Sequence, residues 1–246
     1  MLNLLDKKTI IDKVSGEGGY LVRGFLDSVT LQKVQSEFDS TFYQIPNLAH
    51  AYVDEGKPVV DKLTYASGKH LRINPPQYHN FPELYQLMQS TYLRSIACDY
   101  LGFPHQYAMQ VFMSHEYNVV KKEDIVNVRS NSHLHWDPYH ALKFMLYLTD
   151  VDEDSGATCY VPKSRELGKF YRQTKMDVNS TQGLEGGVPN RLKDYEESPQ
   201  YTEEDAVAVK AKAGDLLIFD TDALHHGGDI QKLGLERKII LIHSRQ

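Results

Sequence analysis

From residue 106 onward the chain is a series of short apolar runs broken by turn residues, which restricts its fold more than any other feature. The runs at 106–115, 141–149, 158–161, 206–212, 215–220 and 237–243 all have strand length. Strands spaced in this way build an antiparallel sandwich or barrel rather than a parallel sheet with crossover helices. The first hundred residues read differently. GYLVRGFL (19–26) is a strand, and Asp27 and Ser28 offer cap oxygens to a helix with an apolar stripe of Leu31, Val34 and Phe38. Residues 41–80 read as irregular, with turn signals at Ile45-Pro46 and Asn74-Pro75-Pro76. Pro82 then opens a helical segment carrying Leu84, Leu87, Met88, Thr91 and Ile96, which Gly102 and Pro104 end. The expected architecture is mainly β with flanking helices. It forms a single domain over 1–246, since no repeat or Pro/Gly/Ser-rich linker divides the chain.

The stretch 168–204 is polar and punctuated by Gly183, Gly186, Gly187, Pro189 and Pro199. A loop of that length in a compact domain is usually functional or disordered, and it reads as a mobile lid over a site. It carries Tyr171, Arg172, Lys175 and Arg191, and its cations could meet an anionic substrate, although a solvated loop face is the ordinary reading.

Composition narrows the function classes. With 41% hydrophobic and 24% charged residues the chain is an ordinary globular one. Its net charge of −6, with Lys and Arg dispersed among acids, excludes the basic stripe of a nucleic-acid binder. Cys98 and Cys159 are the only cysteines and form no CxxC, so neither a zinc knuckle nor a disulfide framework is expected. MLNLLDKKTIIDK is interrupted by charge too early for a signal peptide. Apolar runs fall far short of the roughly 20 residues a membrane span requires. The expectation is a cytoplasmic protein in a reducing compartment, a setting that suits a ferrous ion.

Eleven histidines make any single one uninformative, because a lone His is usually a surface or hydrogen-bonded core residue. His135-Trp136-Asp137 is an arrangement. In an extended strand, residues i and i+2 share a face, so an imidazole and a carboxylate point together while Trp136 packs behind. An imidazole and a carboxylate with a second imidazole from a distant strand make the facial triad of non-haem iron oxygenases. Such a triad leaves positions open for a bidentate cosubstrate and dioxygen. Gly214 and Asp215 open an apolar strand that leads to Leu224-His225-His226-Gly227-Gly228 and returns the chain to the site. Arg237, eleven residues past His226, opens the run RKIILIH. Among apolar neighbours its guanidinium could grip a carboxylate, although a strand-edge Arg is the ordinary reading.

Taken in order, these motifs resemble the phytanoyl-CoA dioxygenase family of Fe(II)/2-oxoglutarate-dependent oxygenases. HWD (135–137), His226 and Arg237 correspond to its HxD, distal His and following Arg. GYLVRGFLD (19–27) and YLTDVDEDSGATCYVPKSREL (147–167) are similar to its opening strand and to its segment ending in a PGSH-type loop. Pro162-Lys163-Ser164-Arg165 lacks the Gly and His of that loop.

The resemblance implies a double-stranded β-helix, a jelly-roll core like that of cupins. It also implies Fe(II) held by His135, Asp137 and His226, with 2-oxoglutarate and O2 as cosubstrates and ascorbate as a reductant. Arg237 would take the C5 carboxylate and Thr158 would hydrogen-bond the cosubstrate, with Gln110 a weaker candidate. His225 competes with His226, which is preferred on its HG pair and its spacing to Arg237. His133 and His140 read as structural, substrate-facing or exposed. The expected reaction is hydroxylation of an aliphatic C–H bond in a small-molecule metabolite, with release of succinate and CO2. The alternative is a cupin-like metal-binding isomerase or sensor that does not turn over 2-oxoglutarate.

Overall fold

The structure, a computed structural model, describes residues 6–42, 44, 52–53, 66–73, 75–102, 108–118, 134–137, 139–174 and 200–245. Two antiparallel sheets face each other, and helices cover the outer face of the larger one. The large sheet has the strand order β1-β8-β5-β10-β4-β3-β2. Its members are β1 (Gly19–Val22), β2 (Tyr52–Val53), β3 (Ala66–Ile73), β4 (Ala108–Asn118), β5 (Ala141–Tyr147), β8 (Leu216–Asp220) and β10 (Glu236–Arg245). The small sheet runs β7-β6-β9, from Val207–Ala208, Cys159–Tyr160 and His225–His226. No helix among the described residues is long and apolar enough to cross a membrane.

Period-2 alternation divides the large sheet into two packed faces. Leu142, Phe144, Leu146, Leu216, Ile218, Ile240 and Ile242 join one core with the helices. Met145, Tyr147, Leu217, Phe219 and Ile239 join a second core beneath the small sheet. Because both faces are covered, β5 and β8 are buried at every position, which explains their unbroken apolar runs.

The helical face is built by α1 (Lys7–Glu17), α2 (Ser28–Thr41), α3 (Pro82–Met88) and α4 (Thr91–Leu101). Asp27 caps α2 by accepting the Thr30 amide at 2.8 Å, and Val34 and Phe38 are buried beneath it, as the sequence indicates. The single helical segment expected after Pro82 is two helices, broken at Gln89-Ser90, and Gly102 ends the second in a left-handed cap. One further expectation is corrected, and one helix lies where the sequence reading assigned no element. The segment 41–80 contains β3, whose ASGKHLRI lacks clean alternation but gains its ladder from β4. Helix α1 occupies the segment tested above only as a signal peptide, with Asp6 and Gly18 as its caps.

The lid expectation also changes. Arg165–Thr174 is a helix, α5, and Glu203–Asp205 is a short 3-10 turn. The rest of that stretch, residues 175–199 with Lys175 and Arg191, lies outside the described residues. Helix α5 forms because one side is tied to the HWD strand and the turn after β8. Tyr171 stacks on Trp136 at 5.0 Å, and Gly168 lies so close to the Asp222 carbonyl that a Cβ would meet it at 1.8 Å.

Glu37 links α2 to α3 by accepting the amides of Glu83 and Leu84 at 2.9 and 3.2 Å. Burial pushes its carboxyl up to about 7, although those two amides pull the other way. The folded value lies above the unfolded one, so stability is full below the unfolded pKa of 4.5 and is lost as pH rises through about 7. Glu37→Gln keeps an acceptor oxygen but cannot ionise. Its melting temperature should gain on that of the wild type between about pH 4.5 and 7. A difference that does not vary with pH would contradict this account.

Candidate metal centre

His135 and His225 lie directly opposite each other and exchange both backbone bonds, His135 N to His225 O at 3.0 Å and His225 N to His135 O at 2.9 Å. Residues paired in this way project to the same face, and their rings approach to 4.5 Å between centroids. Asp137, two residues on, joins that face, with Oδ1 at 3.6 Å from His225 Nε2. One ligand atom from each of His135, Asp137 and His225 falls within 4.8 Å of the others. Trp136 points the opposite way, into a buried cluster with Leu134, Val161, Tyr171 and Leu224.

His226 does not enter this group. It is the next residue along β9 and so faces the other side. It pairs in register with Cys159, and its Nε2 lies 3.9 Å from Glu203 Oε2. The structure thus brings together His135, Asp137 and His225, where sequence spacing favoured His226.

The cluster has the donor chemistry of a metal site. His225 Nδ1 sits 2.7 Å from the Ala223 carbonyl, which can only accept, so the proton is on Nδ1 and Nε2 presents its lone pair. Nε2 is buried without a hydrogen-bond partner, and so is Asp137 Oδ2. Burial alone would push the Asp137 carboxyl up. The Lys143 ammonium, with His225 and His135, outweighs burial and holds it well below the usual carboxylate range. Lys143 Nζ lies 2.6 Å from Asp137 Oδ2. As no hydrogen bond reaches Oδ2, this contact is an ion pair without hydrogen-bond alignment.

Behind the cluster the interior of the large sheet continues along β5 and β10. Lys143, Met145 and Tyr147 lie opposite His243, Leu241 and Ile239. Burial pushes the Tyr147 phenol up to about 12. Thr158 is buried here too, with Oγ1 at 3.3 Å from Met145 Sδ. Arg237 is 5% exposed and already held, since it donates to the Gly156 carbonyl and to Glu116, its register partner on β4. Gln110 faces His243 across the same ladder.

A second group, His140, Asp220 and Asp222, also has ligand atoms within metal-binding reach. Its carboxylates are already partnered. Asp220 accepts from Arg165 at 2.5 Å and from Tyr100 at 2.6 Å, while Arg172 forks onto Asp222 at 2.6 and 2.9 Å. Two guanidiniums neutralise two carboxylates, so this is a clasp that locks α5 and α4 onto the turn after β8. The clasp bears on the centre, because Thr221 between these acids accepts the Asp137 amide at 3.1 Å. Arg172 and Tyr171, read from the sequence as parts of a flexible loop, are therefore held in the fold, as is His140. His133 lies outside the described residues. The cysteines are free and part-buried, and burial pushes the Cys159 thiol up to about 11.

Sequence reasoning missed Lys143, Glu116 and the clasp. A single signal was present, one Lys inside the apolar run ALKFMLYL at the same parity as Met145 and Tyr147.

A sheet pair with a His/Asp/His cluster is compatible with a non-haem metal enzyme, and the comparisons supply the family. The profile described as phytanoyl-CoA dioxygenase (PhyH) matches residues 17–233. The chain belongs to this family of Fe(II)- and 2-oxoglutarate-dependent enzymes. No curated protein matches it by sequence.

Solved structures share the fold at low identity. The non-heme alpha ketoglutarate dependent epimerase SnoN from nogalamycin biosynthesis superposes with a TM-score of 0.60 at 15% identity, covering 98% of this chain and 82% of that one. The carbocyclase SnoK from the same biosynthesis gives 0.60 at 15%, covering 99% and 85%. HygX from Streptomyces hygroscopicus, solved with nickel, 2-oxoglutarate and hygromycin B bound, gives 0.58 at 14%, covering 98% and 87%. Family membership removes the support for a cupin-like isomerase or sensor.

Burial pushes the Asp220 carboxyl up, but His140, Tyr100 and the Asp222 amide together bring it down to about 2. Its folded value is depressed, so the stabilisation is present above the unfolded value of 3.8 and is lost as pH falls through about 2. Asp220→Asn should cost about 3 kcal/mol at pH 7, the lower end for a broken buried ion pair, because Arg165 keeps some access to solvent. Urea unfolding measures this, and the deficit should shrink toward pH 2. A full-size deficit at pH 2 would mean that lost packing, not lost charge, is the cause.

Proposed function

We propose that this protein holds iron through His135, Asp137 and His225 and couples 2-oxoglutarate turnover to oxidation of an aliphatic C–H bond in a small-molecule metabolite. Hydroxylation is the favoured outcome. The two sheets are read as the halves of a double-stranded β-helix, with the metal at its mouth. The observation that carries the proposal is the common face of His135, Asp137 and His225, with the buried His225 Nε2 lone pair left without a hydrogen bond.

Iron held by His135, Asp137 and His225 would supply the oxidising chemistry, with 2-oxoglutarate and O2 as the co-reactants that account for succinate and CO2. The chain supplies geometry and exclusion of water. The Ala223 carbonyl fixes the tautomer and plane of His225. Trp136, wedged against Tyr171, holds the strand that carries His135 and Asp137. Phe219, edge-on to His225 at 5.3 Å, with Met145 and Leu217, forms an apolar floor that keeps water from the reacting carbon. Arg237 is assigned the C5 carboxylate, its guanidinium pre-oriented by Glu116 and Gly156, and Thr158 is assigned a hydrogen bond to the same cosubstrate. Asp137 supports hydroxylation over halogenation, since its carboxylate would bind the metal where a halogenating enzyme needs room for halide. Because SnoN and SnoK are an epimerase and a carbocyclase, the products should be analysed for ring closure and inversion as well as for added oxygen.

The decisive test is anaerobic titration of the Fe(II)-loaded protein with 2-oxoglutarate, followed by the charge-transfer band. His225→Ala should lose metal binding, whereas His226→Ala should retain it within about threefold, a change of under 1 kcal/mol. The reverse result would restore the ligand set read from spacing. Arg237→Lys keeps the charge opposite Glu116 but loses the fork, and should weaken 2-oxoglutarate binding by about tenfold with metal affinity unchanged. Unchanged cosubstrate affinity would remove Arg237 from the site.

A further inference from the structure

Charge counting exposes a role for a residue that no motif marks. The described interior holds two cations, each facing one anion: Arg237 faces Glu116, and Lys143 faces Asp137. The first pair is neutral and contains no candidate metal ligand. The second pair changes when Asp137 binds a dication, because the carboxylate then serves the metal. The ammonium of Lys143, 8% exposed, opposite His243 and beside the Phe219 ring at 5.6 Å, then has to share its anion with the metal. A buried charge that is not fully paired is costly. The metal dication, the Asp137 carboxylate and the Lys143 ammonium together carry two positive charges. 2-Oxoglutarate carries two negative ones.

We propose that Lys143 is a cosubstrate-binding residue: it pairs with Asp137 in the metal-free centre and transfers to the C1 carboxylate of 2-oxoglutarate when metal and cosubstrate bind. This inference rests on the functional reading above. The iron-end carboxylate is assigned because Lys143 Nζ lies 2.6 Å from a candidate ligand atom, whereas Arg237 lies at the opposite end of β10 from the Lys143 partner His243. The arrangement makes Lys143 an antagonist of metal binding and a promoter of cosubstrate binding. A residue that merely braces Asp137 would promote both.

Lys143→Met separates these roles, because methionine keeps an unbranched stem and replacing a buried charge with an apolar side chain is commonly tolerated. Co(II) affinity is measured by calorimetry on the full chain. 2-Oxoglutarate affinity is then measured on the Co(II)-loaded protein, and pyruvate, which lacks the distal carboxylate, is titrated beside it. Lys143→Met is expected to bind Co(II) several-fold more tightly than the wild type. It is expected to bind 2-oxoglutarate and pyruvate at least about tenfold more weakly, by the same factor for both. Weaker Co(II) binding would overturn the proposal and make Lys143 a brace for Asp137. Unchanged 2-oxoglutarate affinity would overturn it as well, and a loss confined to 2-oxoglutarate would move Lys143 to the distal end. A wild type that takes Co(II) but no 2-oxoglutarate would sink the oxygenase reading itself. That failure is distinguishable because it appears before any substitution is made.

Discussion

The reciprocal backbone pair between His135 and His225 is the contact on which the rest of the centre depends. It sets which side chains meet. With these two residues opposed, strand alternation sends Asp137 to the same face and Trp136 and His226 to the other. A slip of the HWD strand by one residue would present Trp136 to His225 and turn both His135 and Asp137 away from it. The neighbouring structure resists such a slip. Gly228 lies so near the Ala157 carbonyl that a Cβ would meet it at 2.2 Å, and Trp136 fills a closed cluster on the back of the strand.

The two His/Asp clusters show how the same residue types acquire opposite roles. Asp220 and Asp222 are fully buried yet satisfied by guanidinium, phenol, imidazole and backbone donors, so they hold elements together. Asp137 and His225 are nearly as buried, but His225 Nε2 has no hydrogen-bond partner and Asp137 Oδ2 meets only the Lys143 ammonium. A folded chain rarely leaves buried polar atoms unpaired unless another group pairs with them. The satisfied cluster supports the open one through Thr221 and through α5, which fixes the back of the HWD strand.

Local features of the sequence survived into the structure. HWD was legible because two ligands at i and i+2 need only an extended backbone, and the Asp27 cap and the buried runs of β5 and β8 follow from equally local rules. Features that depend on distant partners were not legible. The choice between His225 and His226 rests on register with a strand some ninety residues earlier, so spacing to Arg237 favoured a different neighbour from the one this cluster contains. Lys143 was visible as one charge in an apolar run, but its meaning required the position of Asp137. Strand β3 and helix α5 were misjudged because their own patterns are weak or polar. Each is held by what it touches: β4 for the first, Trp136 and Asp222 for the second.

Trp136 is the only tryptophan in the chain. It lies between two candidate ligands in sequence, fully buried, with its indole stacked on Tyr171 at an interplanar angle of 17°. The protein therefore carries an intrinsic optical probe. Its ultraviolet emission originates from one site, on the back of the strand that would grip the metal and beside the helix that backs it. A paramagnetic ion bound at His135 and Asp137 would quench that emission, and a shift of α5 would alter its wavelength, so occupancy and helix docking can be followed without a label.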